Sequence, residues 1–94
     1  MYIVSLTYFR PMEEVDALLE PHIQWLDRYF AAELFIAAGR KDPRTGGIVL
    51  VKDIDRARLD TILAEDPFVA VANYEVTKLG VTRAAEELAA LVGM

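Results

Sequence analysis

The chain of 94 residues contains a single histidine, His22, which is the first candidate for chemistry. A neutral imidazole can accept a proton near pH 7, as a general base must. His22 follows Pro21, and proline fits the first turn of a helix rather than its interior, so a helix is predicted to begin near Pro21. There the positive end of the helix dipole favours the neutral ring. The alternative is a partly buried structural histidine, because His22 lies beside the apolar side of that helix.

The second candidate is Asp66, which precedes Pro67. An apolar-periodic segment is predicted to form a helix that ends at this junction, because the residue before a proline is disfavoured in the α region. A carboxylate at a helix end opposes the dipole, which points to a function for it. Alternatively, Asp66 caps a new turn with Pro67 at its first position. Glu20 and Glu75 could also pair with His22, and sequence spacing does not choose among the three carboxylates.

Composition excludes several classes of site and partner. The absence of cysteine excludes disulfides and thiolate chemistry, and a single histidine excludes a histidine-rich metal site, so no metal is expected. The net charge of -5 and the scattered basic residues argue against nucleic acid. No apolar run is long enough to span a membrane, and the first residues lack the charge of a signal peptide. We therefore expect a cytoplasmic protein with no membrane partner. Ser5, the only serine, lies within a predicted strand and gives no support for a serine nucleophile.

Hydrophobic patterning predicts four strands and their connections. The strands are expected at residues 2–9, 34–39, 48–52 and 71–79. Helical segments are expected at 12–20, from Pro21 to about Ala32, from a cap at Asp53 or Asp55 to the Asp66-Pro67 junction, and at 82–91. The polar segment 41–47 has the composition of a hairpin loop.

This order of elements predicts one α+β domain over residues 1–94, with a ferredoxin-like βαββαβ plan and an extra C-terminal helix. Two helices cover only one face of a four-stranded sheet. Because large exposed apolar faces usually mark interfaces, the other face is expected to pack against a second copy, as a homodimer of the dimeric α/β-barrel type. The alternative is that the C-terminal helix folds back over that face.

Several short motifs along the chain, taken in order, resemble those of the YCII-related (YciI-like) family. They are Tyr2-Ile3-Val4, Pro21-His22 followed by Leu26, Ala37-Ala38-Gly39, Gly46-Gly47-Ile48, and Asp66-Pro67-Phe68 followed by Tyr74-Glu75. The resemblance implies small ferredoxin-like dimers in which His22 and Asp66 line a pocket and act as an acid/base pair. One branch of the family is similar to a dehydrochlorinase that acts on a chlorinated hydroxyquinol without metal or organic cofactor. The chain departs from the family pattern at Leu19, Glu33 and Arg40, where arginine, glycine and proline are common.

These observations lead to three hypotheses about function. The first is a small cofactor-free enzyme, a lyase or isomerase that acts on a small molecule, for example by a dehydrochlorinase-like reaction. His22 would move the proton and Asp66 would orient and stabilise its ring. The remaining site candidates are Tyr8, Phe68 and Tyr74 for an apolar wall and Arg40 for an anionic substituent. The alternatives are a non-catalytic dimeric small-molecule-binding or accessory protein, and a cofactor-independent monooxygenase-like protein.

Overall fold

A four-stranded antiparallel sheet with helices packed on one face makes up the fold. The computed structural model describes all 94 residues. The strands are β1 (Tyr2–Tyr8), β2 (Phe35–Arg40), β3 (Gly46–Val51) and β4 (Ala72–Lys78). The helices are α1 (Met12–Ala17), α2 (Leu19–Ala31) and α3 (Arg56–Ala64), and two short 3₁₀ helices span Pro67–Ala70 and Glu86–Leu91. No helix has the length and apolar character needed to cross a membrane.

The sheet has the strand order β2-β3-β1-β4, and every neighbouring pair is antiparallel. α2 therefore connects β1 to β2 across β3, and α3 connects β3 to β4 across β1. This arrangement is compatible with the ferredoxin-like plan, and the predicted order of the strands and of the connecting helices is confirmed. The start of β1 agrees with the prediction, and the other strand boundaries differ from the predictions by one or two residues.

Alternation along β1 builds the core between the sheet and the helices. Tyr2, Val4 and Leu6 point toward the helices and are at most 3% exposed. Trp25 of α2 is buried against them, and its indole nitrogen donates a hydrogen bond to the carbonyl of Ile62 on α3 at 2.9 Å. This bond satisfies the only polar group of the indole, and it joins α2 to α3.

Close backbone approach at the start of β3 requires a glycine. A Cβ atom at Gly46 would lie 1.7 Å from the carbonyl oxygen of Leu6 on β1. No side chain fits at that distance, so β1 and β3 can pair up to Thr7 and Gly46 only with glycine there. The close pairing brings the last residues of β1 beside the β2–β3 hairpin.

The other face of the sheet has no helix over it. Ile3, Ile48 and Leu50 lie on this face and are half-buried by their neighbours, while Ala37 and Glu75 are exposed. We call this surface the open face. Within the single chain nothing covers it.

The predicted C-terminal helix is wrong. Residues Glu86–Leu91 form two 3₁₀ turns joined at Leu88, whose backbone is not helical, and none of them is buried. Leu88 is 50% exposed and Val92 is 49% exposed. Because helices this short depend on packing for stability, the segment does not form an α-helix where no apolar surface receives it.

The helix boundaries near the candidate residues also differ from the predictions. The helical region before β2 is divided at Leu18, so α2 begins at Leu19 and Pro21 is its third residue. A proline still fits there, because the first turn of a helix has no use for its N–H. His22 follows one residue later, rather than at the second helical position.

Candidate acid–base site

His22 and Asp66 lie side by side although 44 positions separate them in the chain. The Nδ1 atom of His22 is 2.7 Å from Oδ1 of Asp66, within hydrogen-bond distance. Asp66 is fully buried, and the His22 side chain is 11% exposed. Glu20 and Glu75, the other carboxylates considered for this pairing, are exposed and make no hydrogen bond to the ring. The tertiary structure thus selects Asp66.

Local sequence explains the placement of Asp66. α3 ends at Ala64, and Asp66 is the N-cap of the 3₁₀ helix Pro67–Ala70, with Pro67 at the first position. Its Oδ1 atom accepts a hydrogen bond of 3.0 Å from the backbone N–H of Phe68. The capping alternative is therefore observed, and a carboxylate at an N-cap is favourable. Asp66 also directly follows the carboxyl end of α3, as the sequence predicts.

Tyr74 completes the surroundings of this carboxylate. Its hydroxyl donates a hydrogen bond of 2.5 Å to Oδ2 of Asp66. Burial is the main cause that raises the pKa of Tyr74 above its ordinary value, and the hydrogen bond to the Asp66 carboxylate adds to it. The hydroxyl therefore remains a donor throughout the neutral range. The sequence predicts Tyr74 in the apolar wall of the pocket, but its hydroxyl contacts the Asp66 carboxylate instead.

The hydrogen bonds around Asp66 assign the tautomer of His22. The carboxylate accepts from Phe68 on one oxygen and from Tyr74 on the other, and as an acceptor it takes the Nδ1–H of the imidazole. Nε2 is then the unprotonated nitrogen. It makes no hydrogen bond within the protein and is not sealed from solvent. This is the arrangement that a general base requires.

Aromatic packing holds the imidazole plane. The His22 ring lies parallel to Phe68, with centroids 3.7 Å apart and an angle of 3° between the planes. The indole of Trp25 also stacks near the imidazole, with centroids 5.6 Å apart and an angle of 27° between the planes. Asp66 at one edge and these two aromatic rings together restrict how the imidazole can turn.

A cavity of about 170 Å³ lies between α2 and the ends of β1, β2 and β3. Its polar or charged lining residues are Tyr8, His22 and Arg40, and Phe68 also lines it. Leucine and isoleucine side chains of α2 form much of the remaining wall. Of the predicted substrate-binding residues, Tyr8, Arg40 and Phe68 therefore lie together at this cavity, and Tyr74 does not line it.

Arg44 is a residue near the cavity that the sequence did not single out. It lies in the β2–β3 hairpin, and its Nη2 atom is 2.9 Å from a carboxylate oxygen of Asp16 on α1. Its Nε atom is buried without a hydrogen-bond partner. The sequence held one signal, namely a basic residue in a turn next to the strand end that carries Tyr8, but many surface hairpins share it.

Comparison with known proteins agrees with the motifs. The family model of the YCII-related domain matches residues 1–80, and the last 14 residues lie outside the match. A search of curated proteins found no match. The matched region contains all four strands, the three α-helices and every residue that lines the cavity. The chain therefore belongs to the YCII-related family.

Proposed function

We propose that this protein is a small enzyme that performs acid–base chemistry without a cofactor, as a lyase or isomerase, with His22 as the proton-transfer group. One observation carries the proposal. His22 donates through Nδ1 to a buried carboxylate and keeps Nε2 free at a cavity. A histidine held in this way presents an acceptor nitrogen to the cavity, as a general base must.

In this proposal Nε2 takes a proton from a carbon that lies next to an electron-withdrawing group. In an elimination, the electrons of the broken C–H bond form a double bond and a leaving group such as chloride departs. In an isomerisation, the same proton returns to another carbon. Asp66 stabilises the imidazolium that forms in either case, and Tyr74 holds the carboxylate in place. Positioned proton transfer of this kind typically contributes about 10²–10⁴-fold in rate.

A second candidate function is a non-catalytic binding or accessory protein, and one observation favours it. Asp66 already has a structural task, because it caps the turn at Pro67 and accepts a backbone hydrogen bond from Phe68. In this alternative the bond to His22 only fixes the wall of a ligand pocket. No feature of the site favours the monooxygenase-like alternative over these two.

Proton exchange with solvent distinguishes the two candidates without knowledge of the substrate. A panel of small enolisable carbonyl compounds is incubated with the protein in D₂O, and loss of their C–H signals is followed by NMR. We expect exchange with the wild type and none with His22→Gln or Asp66→Asn. Asp60→Asn, which alters an exposed aspartate paired with Arg56, is the matched control and should exchange normally. Binding of panel members without any exchange would favour the binding protein.

We also propose that the protein acts as a homodimer that packs through its open face. Support comes from the apolar character of Ile3, Ile48 and Leu50 at the middle of that face, where no helix covers them. The C-terminal segment does not bury this surface within the chain. Apolar surfaces of this kind on water-exposed sheets usually mark interfaces.

A further inference from the structure

Tyr8 carries a hydroxyl group that donates to no acceptor within the protein. The chain has four tyrosines, and two of them donate to carboxylates: Tyr29 to Glu65 and Tyr74 to Asp66. The Tyr8 hydroxyl lies beside the Arg44 guanidinium, which can only donate to it, so the Tyr8 O–H has no acceptor within the protein. Tyr8 also lines the cavity that contains His22. A phenolic O–H at a mostly apolar cavity is therefore available to a ligand.

The position of Tyr8 is well determined. Its backbone N–H donates to the carbonyl of Thr45 at 2.9 Å, and its ring contacts Phe68 edge-on, with centroids 5.8 Å apart. Phe68 in turn stacks on His22, so the Tyr8 phenol and the His22 imidazole both pack against the same aromatic ring. A ligand held by the Tyr8 hydroxyl would thus lie in the cavity that the free Nε2 faces.

Arg44 places a guanidinium beside this hydroxyl. Arg44 is next to Thr45 in the hairpin, and its guanidinium is held by Asp16. The hydrogen bond to Asp16 is the main cause that raises the pKa of Arg44, and the neighbouring Tyr8 hydroxyl adds to it. The buried Nε of Arg44, which has no partner, leaves this guanidinium incompletely satisfied. The local environment of the phenol therefore favours a negatively charged oxygen beside it.

Arg40 adds a second cation from the end of β2. It lines the cavity, is exposed, and forms no ion pair or hydrogen bond with the protein. Most other arginines pair with carboxylates, as Arg28 does with Glu65 and Arg56 with Asp60. An unpaired guanidinium at a cavity of an acidic protein is suited to a ligand that brings its own negative charge.

We infer that the Tyr8 hydroxyl and Arg40 form an oxyanion-binding side of the cavity, which selects a small planar substrate with a carboxylate, phenolate or enolate oxygen. Arg44 is a positioning residue that acts through Tyr8. The inference deepens the proposed function, on which it rests for the reaction but not for the binding. The cavity of about 170 Å³ is below the usual size of sites for larger ligands, which favours a single ring or a short chain.

The same contact would assist proton removal. When the C–H bond breaks and its proton moves to Nε2 of His22, the electron pair spreads onto the substrate oxygen. The Tyr8 O–H donates to that oxygen, so it binds most strongly when the charge has developed there. Tyr8 would then contribute to the reaction as well as to selection of the substrate.

Two matched probes test the binding. Benzoate and benzamide have almost the same shape, but only benzoate carries a charge near pH 7. We expect calorimetric or NMR titration of the full chain to give benzoate at least about tenfold tighter binding than benzamide, since a hydrogen bond to a charged group exceeds a neutral one. Tyr8→Phe keeps the ring and removes the hydroxyl. It should reduce the ratio of benzoate affinity to benzamide affinity about tenfold. Tyr2→Phe, on the same strand, is the control and should not change it.

Two further variants keep the inference testable if Tyr8→Phe does not fold. Arg40→Gln should lower the ratio, and Arg44→Gln should lower it less, while Arg10→Gln, at an exposed pair with Glu14, should leave it unchanged. Equal binding of the two probes, no binding of either, or an unchanged ratio in both Tyr8→Phe and Arg40→Gln would overturn the inference. If the protein prefers benzoate over benzamide as expected but catalyses no C–H exchange in D₂O, the catalytic proposal is removed and the oxyanion site remains.

Discussion

The network around Asp66 predicts losses of stability of different size for two small substitutions. Asp66 is fully buried and accepts three hydrogen bonds: from His22, from the backbone of Phe68 and from Tyr74. Asp66→Ala removes every acceptor and leaves three donors without partners. Asp66→Asn keeps an oxygen at the Oδ1 position, because the N–H of Phe68 requires an acceptor there. The Tyr74 hydroxyl can rotate to accept from the new amide.

The expected magnitudes follow from these contacts. Loss of an N-cap alone typically costs about 1 kcal/mol, and each buried donor left unpaired adds about 1–3 kcal/mol. Removal of one partner of a buried pair costs about 3–5 kcal/mol, which agrees with that range. We therefore expect Asp66→Ala to lower the free energy of unfolding by about 3–5 kcal/mol. Asp66→Asn should cost about 1–2 kcal/mol, since neutral hydrogen bonds replace charge-assisted ones.

Denaturant unfolding followed by tryptophan fluorescence measures both changes, because Trp25 is buried beside His22. Nitrogen-15 NMR of the histidine ring should find the Nδ1–H tautomer in the wild type and also in Asp66→Asn. Asp60→Asn is the control for loss of a surface carboxylate. If Asp66→Ala cost less than about 1 kcal/mol, or if the proton lay on Nε2, the network described here would be refuted.

Four further outcomes are expected. Leu50→Glu, on the open face, should convert a dimer in the wild type to a monomer in light scattering; a monomeric wild type would contradict the proposed interface. Gly46→Ala should lower the free energy of unfolding by about 3 kcal/mol, because its Cβ would collide with the Leu6 carbonyl. Folding raises the pKa of Tyr74, so stability should be intact at neutral pH and fall as the pH rises above the ordinary value of 10.0; Tyr74→Phe should lessen this fall in urea titrations. Elemental analysis of protein purified without a His-tag should find no stoichiometric metal, since one histidine and no cysteine offer few ligands.

Strands were the most predictable part of this fold. β1 and β3 consist largely of β-branched and apolar residues, and the hairpin between β2 and β3 is rich in turn-forming residues. These are local properties of the backbone and side chains, so they act before the chain is folded. The connecting helices are predictable from the helical spacing of their apolar residues and from the prolines near their ends. The last segment was predictable only as amphipathic, because its state depends on whether a surface is present to receive it.

The division of roles at the site was less predictable. His22 stands out by its type, and Asp66 by its position before Pro67, but their pairing bridges 44 positions. It depends on how α2 packs beside α3, where the indole of Trp25 donates to the carbonyl of Ile62. Tyr8 and Tyr74 are both aromatic residues on strands, and sequence alone placed both in the same wall.

The order of the elements, the lack of cysteine and the single imidazole follow from the amino-acid sequence alone, because composition and periodicity are local. The packing of the elements selects which of three carboxylates meets that imidazole. It also places the Tyr74 hydroxyl on Asp66 and Tyr8 at the cavity. Each of these contacts joins residues from different elements, so its distance depends on how helices and sheet pack together. Packing is a property of the whole core, to which Val4, Trp25 and Leu59 contribute together.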